Sequence, residues 1–574
     1  MKQNLLEPAP LRPAPSNGVH IQAAGLIQTA GKRKLLNDVS FEVKPGELVA
    51  IVGGSGAGKT TLLDALAGVR PAHSGEVRFD DVSVYQNLQV FRSVLGYVPQ
   101  DDIIHADLPL RRTLRYAAQL RLPGATSSQA IDVAVARAME QLGLTERAEV
   151  TVGALSGGQR KRASIAVELL TNPRVFFLDE PTSGLDPSTA ADLVQLLQRL
   201  ALSGSTVVFT THSIQDLGYC GRVVFLARGG FLAFFGAPAE ALRYFEVERI
   251  EQIYQRLERE LSPEEWGRKF QDARPAAADS GRVPKAGIRS RPTPPSQPGP
   301  LRQWGTLTAR TFESLVRNRL TMAILLGSPL MIVAMFAILF ERGAFNAEDP
   351  SPTAILMILF WITFGAFFFG VTYGLLQIVT ERAILRRENL VGVRLSSYLL
   401  AKTAVLMPFL LVVAVLMLAI LRALERLPDA SLETYVSVGV TLSLTSAAAL
   451  TLGLLTSAVV RNASQATLAL PLLCFPVVLF SGAILPVNVM ATVGRAISTV
   501  MPVRWAFEAV GRDFGARALL EHGRSPLGPP LVASYGDAGN LATGTYWLYL
   551  AAFVVVFLVG AWGVLAATIQ HASR

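Results

Sequence analysis

Leu48-Val49-Ala50-Ile51-Val52-Gly53-Gly54-Ser55-Gly56-Ala57-Gly58-Lys59-Thr60-Thr61 runs from an unbroken apolar stretch into a glycine-rich turn, then into residues with helical spacing. Gly53 to Thr60 matches G-x-x-x-x-G-K-[ST] in the strand-then-helix context that this pattern requires. The glycines let backbone N–H groups curl around phosphate oxygens, and a helix N-terminus adds partial positive charge. Lys59 is placed to reach terminal phosphates and the Thr60 hydroxyl to coordinate magnesium. A chance glycine-rich turn followed by lysine is the bland alternative, and the flanking strand and helix argue against it. The expected phosphate contacts are Gly53, Gly54, Ser55, Gly56, Ala57, Gly58, Lys59, Thr60 and Thr61.

Outward from this loop, Val19 to Phe245 alternates short apolar runs with amphipathic ones. Leu48 to Val52, Val175 to Leu178 and Thr206 to Thr210 read as strands, Thr60 to Ala67 and Gln129 to Gly143 as helices. The alternation predicts an α/β domain with parallel strands. The second of these strands ends in Asp179-Glu180. Asp179 would then lie near the magnesium, and Glu180 would polarise an attacking water, a task suited to a carboxylate. A helix N-cap pair ahead of Pro181 is the alternative, weakened by the company of the phosphate loop.

With Leu155-Ser156-Gly157-Gly158-Gln159 between these two motifs, the chain resembles the ATP-binding cassette transporters, whose signature this is. The resemblance implies that Ser156, Gly157, Gly158 and Gln159 close over the γ-phosphate of ATP held by a partner subunit. A serine, two glycines and a helix start also suit a phosphate cradle physically. It further assigns Gln100, in Tyr97-Val98-Pro99-Gln100, to magnesium, water and coupling. Asp186, in Ser183-Gly184-Leu185-Asp186, is assigned to cross-dimer contact, and His212 to the γ-phosphate. Glu180, His212 and Gln100 are thus the candidate catalytic residues, and Thr60, Gln100 and Asp179 the candidate Mg2+ ligands. Gly25 to Lys34, where family members often carry an adenine-stacking aromatic, has none.

The second half of the chain is of a different kind. Charged residues are 17% of the 574 and apolar ones 51%, yet from Thr321 onward several stretches of membrane-spanning length carry no charge. Spans are expected near 321–340, 353–379, 403–421, 435–460, 465–485 and 546–568, with a long external loop over 486–544. Met1 to Gly18 reads as a disordered leader and 19–245 as the ATP-binding domain. A helical extension and a linker with seven prolines between Gln271 and Pro300 fill 246–302, and an amphipathic connecting helix bearing Arg310 and Arg317 fills 303–319. The membrane domain then occupies 320–574. Arg382, Arg386, Arg387, Arg394 and Lys402 gather between spans two and three, marking that side as cytoplasmic, and with it both termini. The net charge of +9 is read as this positive-inside pattern rather than as nucleic-acid binding. Cys220 and Cys474, one in each half, suggest neither metal cluster nor external disulfide.

The order of the two domains resembles the G subfamily, the white-type pigment and sterol half-transporters with an ABC-2 type membrane domain. That resemblance implies a coupling helix at Glu381, Arg382, Arg386 and Glu388, for which a solvated basic loop is the alternative. It also implies a substrate path along spans two and five, with Phe364 and Phe368 on the first, and Phe480 and Ile484 near an apolar valve on the other. Helix packing and lipid contact compete for those aromatics. No Asp, Glu, Lys or Arg falls in the central part of any expected span, so the cargo is expected to be apolar or amphipathic. Six spans and one half of each ATP site imply a dimer, most economically a homodimer in the bilayer, with a heterodimer as the other assembly. ATP-driven export or leaflet translocation is the expected activity. A membrane ATPase that passes force to an envelope partner is the rival. A bacterial inner membrane is the expected location, from the excess of Arg over Lys, with a eukaryotic plasma membrane as the alternative.

Overall fold

The computed structural model describes residues 17–31, 33–91, 94–273, 297–346 and 348–572. The expected leader lies outside these residues apart from its last two, as does most of the proline-rich linker. The described residues up to Gly299 form the body of one compact unit, and those of Pro300–Asn389 and Val393–Gln570 form the other.

The first unit is built on a ten-stranded sheet. Its strands are β1 (Ile21–Ala30), β2 (Arg33–Val43), β3 (Leu48–Gly53), β4 (Ser74–Phe79), β5 (Val82–Ser83), β6 (Leu95–Val98), β7 (Val175–Leu178), β8 (Thr206–Thr210), β9 (Arg222–Ala227) and β10 (Phe231–Gly236). They lie in the order β5-β4-β1-β2-β10-β9-β3-β8-β7-β6. The block from β9 to β6 is parallel. The expectation of parallel strands does not hold throughout: β5, β4, β1 and β2 pair antiparallel with one another, while β10 pairs parallel with β2 and antiparallel with β9. The reason is connection length: β1 and β2 are separated by two residues, whereas a parallel pair needs a crossover of a dozen or more.

Every residue of β3, β7 and β8 is buried, as continuous apolar runs require when a sheet is covered on both faces. Side chains alternate between two cores. Leu48, Ala50, Val52, Phe176, Leu178, Val207 and Phe209 meet helices Leu110–Arg121, Ser128–Gln141, Gly157–Leu169 and Pro187–Leu202. Val49, Ile51, Val175, Phe177 and Val208 meet helix Lys59–Leu66 and the antiparallel arm. At about 1.5–3 kcal/mol for each large side chain buried, these two layers fix the ends of β3 and β7, where the chemistry sits.

Among its described residues, the second unit holds six helices long and apolar enough to cross a membrane. They are spans one (Arg319–Leu339), two (Pro352–Leu375), three (Leu395–Ala423), four (Leu432–Val459), five (Ala463–Phe480) and six (Thr543–Ile569). Spans two and four are mostly enclosed, while five and six are largely exposed. Backbones come close between two and four: a Cβ on Gly370 would lie 2.4 Å from the Ser446 carbonyl oxygen, and one on Gly374 2.5 Å from that of Leu450. Small residues at such crossings are how membrane helices gain packing where the hydrophobic effect between them is absent.

Four expectations need correction here. Span five stops at Phe480, because the chain turns at Gly482, whose φ is 84°. Span three starts at Leu395, which places Lys402 inside a helix, buried. Residues 486–544 are no open loop: they contain helices Thr492–Thr499, Pro502–Asp513, Ala516–His522 and Gly528–Tyr535. The second of these buries Val503, Ala506, Phe507 and Val510. That i, i+3, i+4, i+7 spacing was present in the sequence as a helix signal. The amphipathic connecting helix spans Pro300–Arg317, and its Arg310 is buried rather than laid on a membrane surface.

Candidate active site

The chain leaves β3 through Gly53, where a Cβ would lie 2.5 Å from the Leu226 carbonyl oxygen, and enters helix Lys59–Leu66 through Gly58 at φ 96°. A side chain is excluded at the first for lack of room and strained at the second by its left-handed backbone. No side chain caps this helix, so its first N–H groups are left to an anion. The Lys59 ammonium donates to the carbonyl oxygens of Gly53 (3.0 Å) and Gly54 (3.3 Å), arching over the loop.

Three distant segments converge beside it. The Thr60 hydroxyl donates to Asp179 Oδ1 at 3.1 Å and the Thr210 hydroxyl to the same oxygen at 2.6 Å, while the Glu180 amide donates to the Thr210 hydroxyl at 2.8 Å. Asp179 is buried at the end of β7. Glu180 sits in the left-handed region at φ 43°, a strain of about 1–3 kcal/mol for a residue with a side chain. Its Oε2 accepts from Gln100 Nε2 at 3.3 Å and lies 3.5 Å from His212 Nδ1. Thus Thr60, Asp179, Glu180, Gln100 and His212 form one connected cluster at the phosphate loop.

Ser156 caps helix Gly157–Leu169 in a reciprocal capping box: its hydroxyl accepts from the Gln159 amide, and Gln159 Oε1 accepts from the Ser156 amide. A Cβ on Gly158 would meet Thr189 at 2.5 Å, whereas Gly157 faces open space. Among the described residues, no hydrogen bond joins Ser156, Gly157 or Gln159 to the cluster. Asp186 caps helix Pro187–Leu202 by accepting from the Thr189 amide at 3.0 Å, and hydrogen bonds from Thr189 hold its carboxyl below the usual range.

Four supporting residues escaped the sequence reading. Lys161, on the signature helix and buried, donates to the Gln100 carbonyl at 2.5 Å and lies 3.7 Å from Asp102. Burial pushes its pKa down and that of Asp102 up. Arg121 and Glu168, both buried, make a bidentate pair at 2.6 and 2.9 Å that ties the same helix to Leu110–Arg121. Asp216 accepts from the hydroxyls of Thr182 (2.9 Å) and Thr211 (2.6 Å), bracing the segments that carry Glu180 and His212. A buried lysine or aspartate inside a polar run has no periodic signal, which is why these were missed. In the segment lacking an aromatic, the Arg33 guanidinium lies 3.9 Å from where a Gly56 Cβ would stand.

In the second unit, Glu381 accepts from Lys402 (2.8 Å) and the Tyr398 hydroxyl (2.9 Å). Arg382 donates to the carbonyls of Ser457 (3.1 Å) and Ala458 (2.6 Å) at the end of span four, where a cation suits the helix dipole. Glu388 is held by both guanidinium nitrogens of Arg310, so of the four coupling candidates Arg386 alone is exposed. Phe364 and Phe368 are half-buried members of an aromatic ladder on span two, with ring centroids 6.2 Å apart. Spans two and five meet around Phe367, Val371 and Val477; Phe480 is half-buried and Ile484 exposed.

Two family models match the chain: ABC transporter over residues 36–183 and ABC-2 type transporter over residues 302–511. An ABC transporter ATP-binding/permease protein of Mycobacterium tuberculosis is 33% identical over 499 residues, 83% of this chain and 56% of that protein. ABC transporter G family member 17 of Arabidopsis thaliana is 30% identical over 429 residues, 67% of this chain and 63% of its own length. Member 5 of the same family from Oryza sativa is 38% identical over 232 residues, 39% of this chain and 29% of its own. The chain thus spans little more than half the length of the mycobacterial relative. It belongs to the ABC transporter family, with an ABC-type ATPase domain followed by an ABC-2 type, multi-pass membrane domain.

Proposed function

We propose that two copies of this chain form an ATP-driven exporter, or leaflet translocator, of an apolar or amphipathic compound. The observation that carries the reading is the Thr60, Asp179, Glu180, Gln100 and His212 cluster at a phosphate loop, in a chain with six spans free of central charge. Thr60 Oγ1 and Asp179 Oδ1, 3.1 Å apart, are hard oxygen donors that fit Mg2+ and would hold it, with the Gln100 side-chain carbonyl as a third candidate. Bound there, Mg2+ would neutralise phosphate charge. Glu180 takes the proton of the attacking water, Lys59 and the loop amides hold the phosphates, and His212 approaches the γ-phosphate from beside Glu180. Ser156 and Gly157, apart from this cluster and open on one side, are read as the half-site offered to the second copy.

Basic residues between spans two and three support a cytoplasmic ATPase and termini, and the membrane we infer is a bacterial inner one. The rival, force transmission through 486–544, is weakened by the burial of Val503, Ala506, Phe507 and Val510 within the membrane unit. The test is ATP hydrolysis by the full chain in liposomes, beside Glu180→Gln, with lipids, sterols and amphiphiles screened for stimulation. Loss of hydrolysis in the variant and stimulation by one compound class are expected. Equal rates in both proteins would remove Glu180 from its role, and indifference to every compound would favour the rival.

A further inference from the structure

Spans three and four leave a groove of about 930 Å³ between them, open on one side and walled almost entirely by apolar atoms. Its floor is the line Gly439, Ser443 and Ala447, one helical turn apart on span four, where small side chains leave the space between the two helices unfilled. Ser443 donates back to the Gly439 carbonyl at 2.7 Å, so the floor offers little unmet polarity. On the open side, Val415 and Val436 are more than half exposed. From Met407 to Arg422 the groove follows span three for about 22 Å at 1.5 Å per residue, more than one leaflet of a ~30 Å hydrocarbon core.

One end is charged. Arg422 lies in the last turn of span three, stacked on Tyr435 with its guanidinium 4.7 Å from the ring centroid, and it donates to Asp429 at 3.2 Å. Asp429 is 98% exposed. An ion pair so open to water contributes about 0–1 kcal/mol, little against a phosphate that two guanidinium nitrogens can grip at once. We propose that this groove is a binding site for an anionic phospholipid, with an acyl chain along Gly439, Ser443 and Ala447 and the phosphate on Arg422. A long apolar trench suits a chain, and a cation fixed at its mouth by an aromatic face suits a charged headgroup at the membrane–water boundary. The site stands apart from the span two and five path and does not depend on that reading.

The test is native mass spectrometry of the purified full-length protein, offered phosphatidylglycerol or phosphatidylcholine with identical acyl chains. One basic residue near the surface is worth about 1 kcal/mol towards an anionic lipid, so the expected preference for phosphatidylglycerol is about fivefold. Arg422→Gln brings the ratio close to one, Asp429→Asn raises it, and Gly439→Leu/Ser443→Leu, which fills the trench, lowers retention of both lipids. Equal retention of the two lipids by the unaltered protein would overturn the proposal, as would a preference that survives Arg422→Gln. Efficient disulfide capture of a second copy through Val436→Cys would also overturn it, making the groove a subunit interface.

Discussion

Replacing Lys161 with methionine tests whether the signature helix positions the catalytic cluster within one subunit. Methionine keeps most of the buried stem and deletes only the ammonium, which donates to the Gln100 carbonyl at 2.5 Å. A hydrogen bond from a charged donor contributes about 1.5–3 kcal/mol. Gln100 in turn meets Glu180 Oε2 at 3.3 Å, so freeing its backbone loosens the contact that orients the base. If that energy is lost in the transition state, kcat falls by roughly 10- to 150-fold at 1.36 kcal/mol per decade. KM for ATP stays within about twofold, because Lys161 does not hydrogen-bond to the phosphate loop. Steady-state hydrolysis by the reconstituted protein measures both, and Lys161→Arg, which keeps a cation, should recover part of the rate. A kcat within twofold of the unaltered protein would refute the reasoning, as would a change confined to KM.

Other outcomes follow from the packing. Gly374→Ala puts a methyl 2.5 Å from the Leu450 carbonyl oxygen and should destabilise the membrane unit by about 1–3 kcal/mol, seen as a lower melting temperature. Gly327→Ala, with nothing within 4 Å, is its control, and equal melting of the two variants would contradict the close crossing of spans two and four. Burial raises the pKa of the Cys220 thiol, which donates to the Asp216 carbonyl at 3.4 Å. The reactive thiolate is therefore suppressed in the folded state, and maleimide labelling of Cys220 at pH 8 should be slow until denaturant is added. Fast labelling of the native protein would show that the core around β9 opens readily.

Much of the molecule was legible because its signals are local. The phosphate loop needs glycines at fixed offsets between a strand and a helix, and β7 and β8 are short apolar runs whose limits the sequence already marks. The six spans follow from length and lack of charge alone. Partnering across the chain has no such signature. Whether β1 and β2 pair parallel or antiparallel depends on which strands meet, whereas the α/β alternation along the chain points to parallel pairing. The 486–544 segment was read as a loop because its helices are short and interrupted by Gly and Pro, although Val503, Ala506, Phe507 and Val510 carry helical spacing.

What the sequence determined by itself is the chemistry available: a phosphate cradle, two adjacent carboxylates after an apolar strand, and membrane helices with uncharged centres. Backbone conformation and hydrophobic burial act over a few residues, so they can be read along the chain. Only the tertiary structure decided that Gln100, Glu180 and His212 meet on one carboxylate oxygen and that Lys161 and Asp216 brace them. It likewise decided that Arg310, which reads as a surface cation, is buried against Glu388. A buried charge is tolerated only when a specific partner compensates its desolvation, and that partner lies 78 residues away.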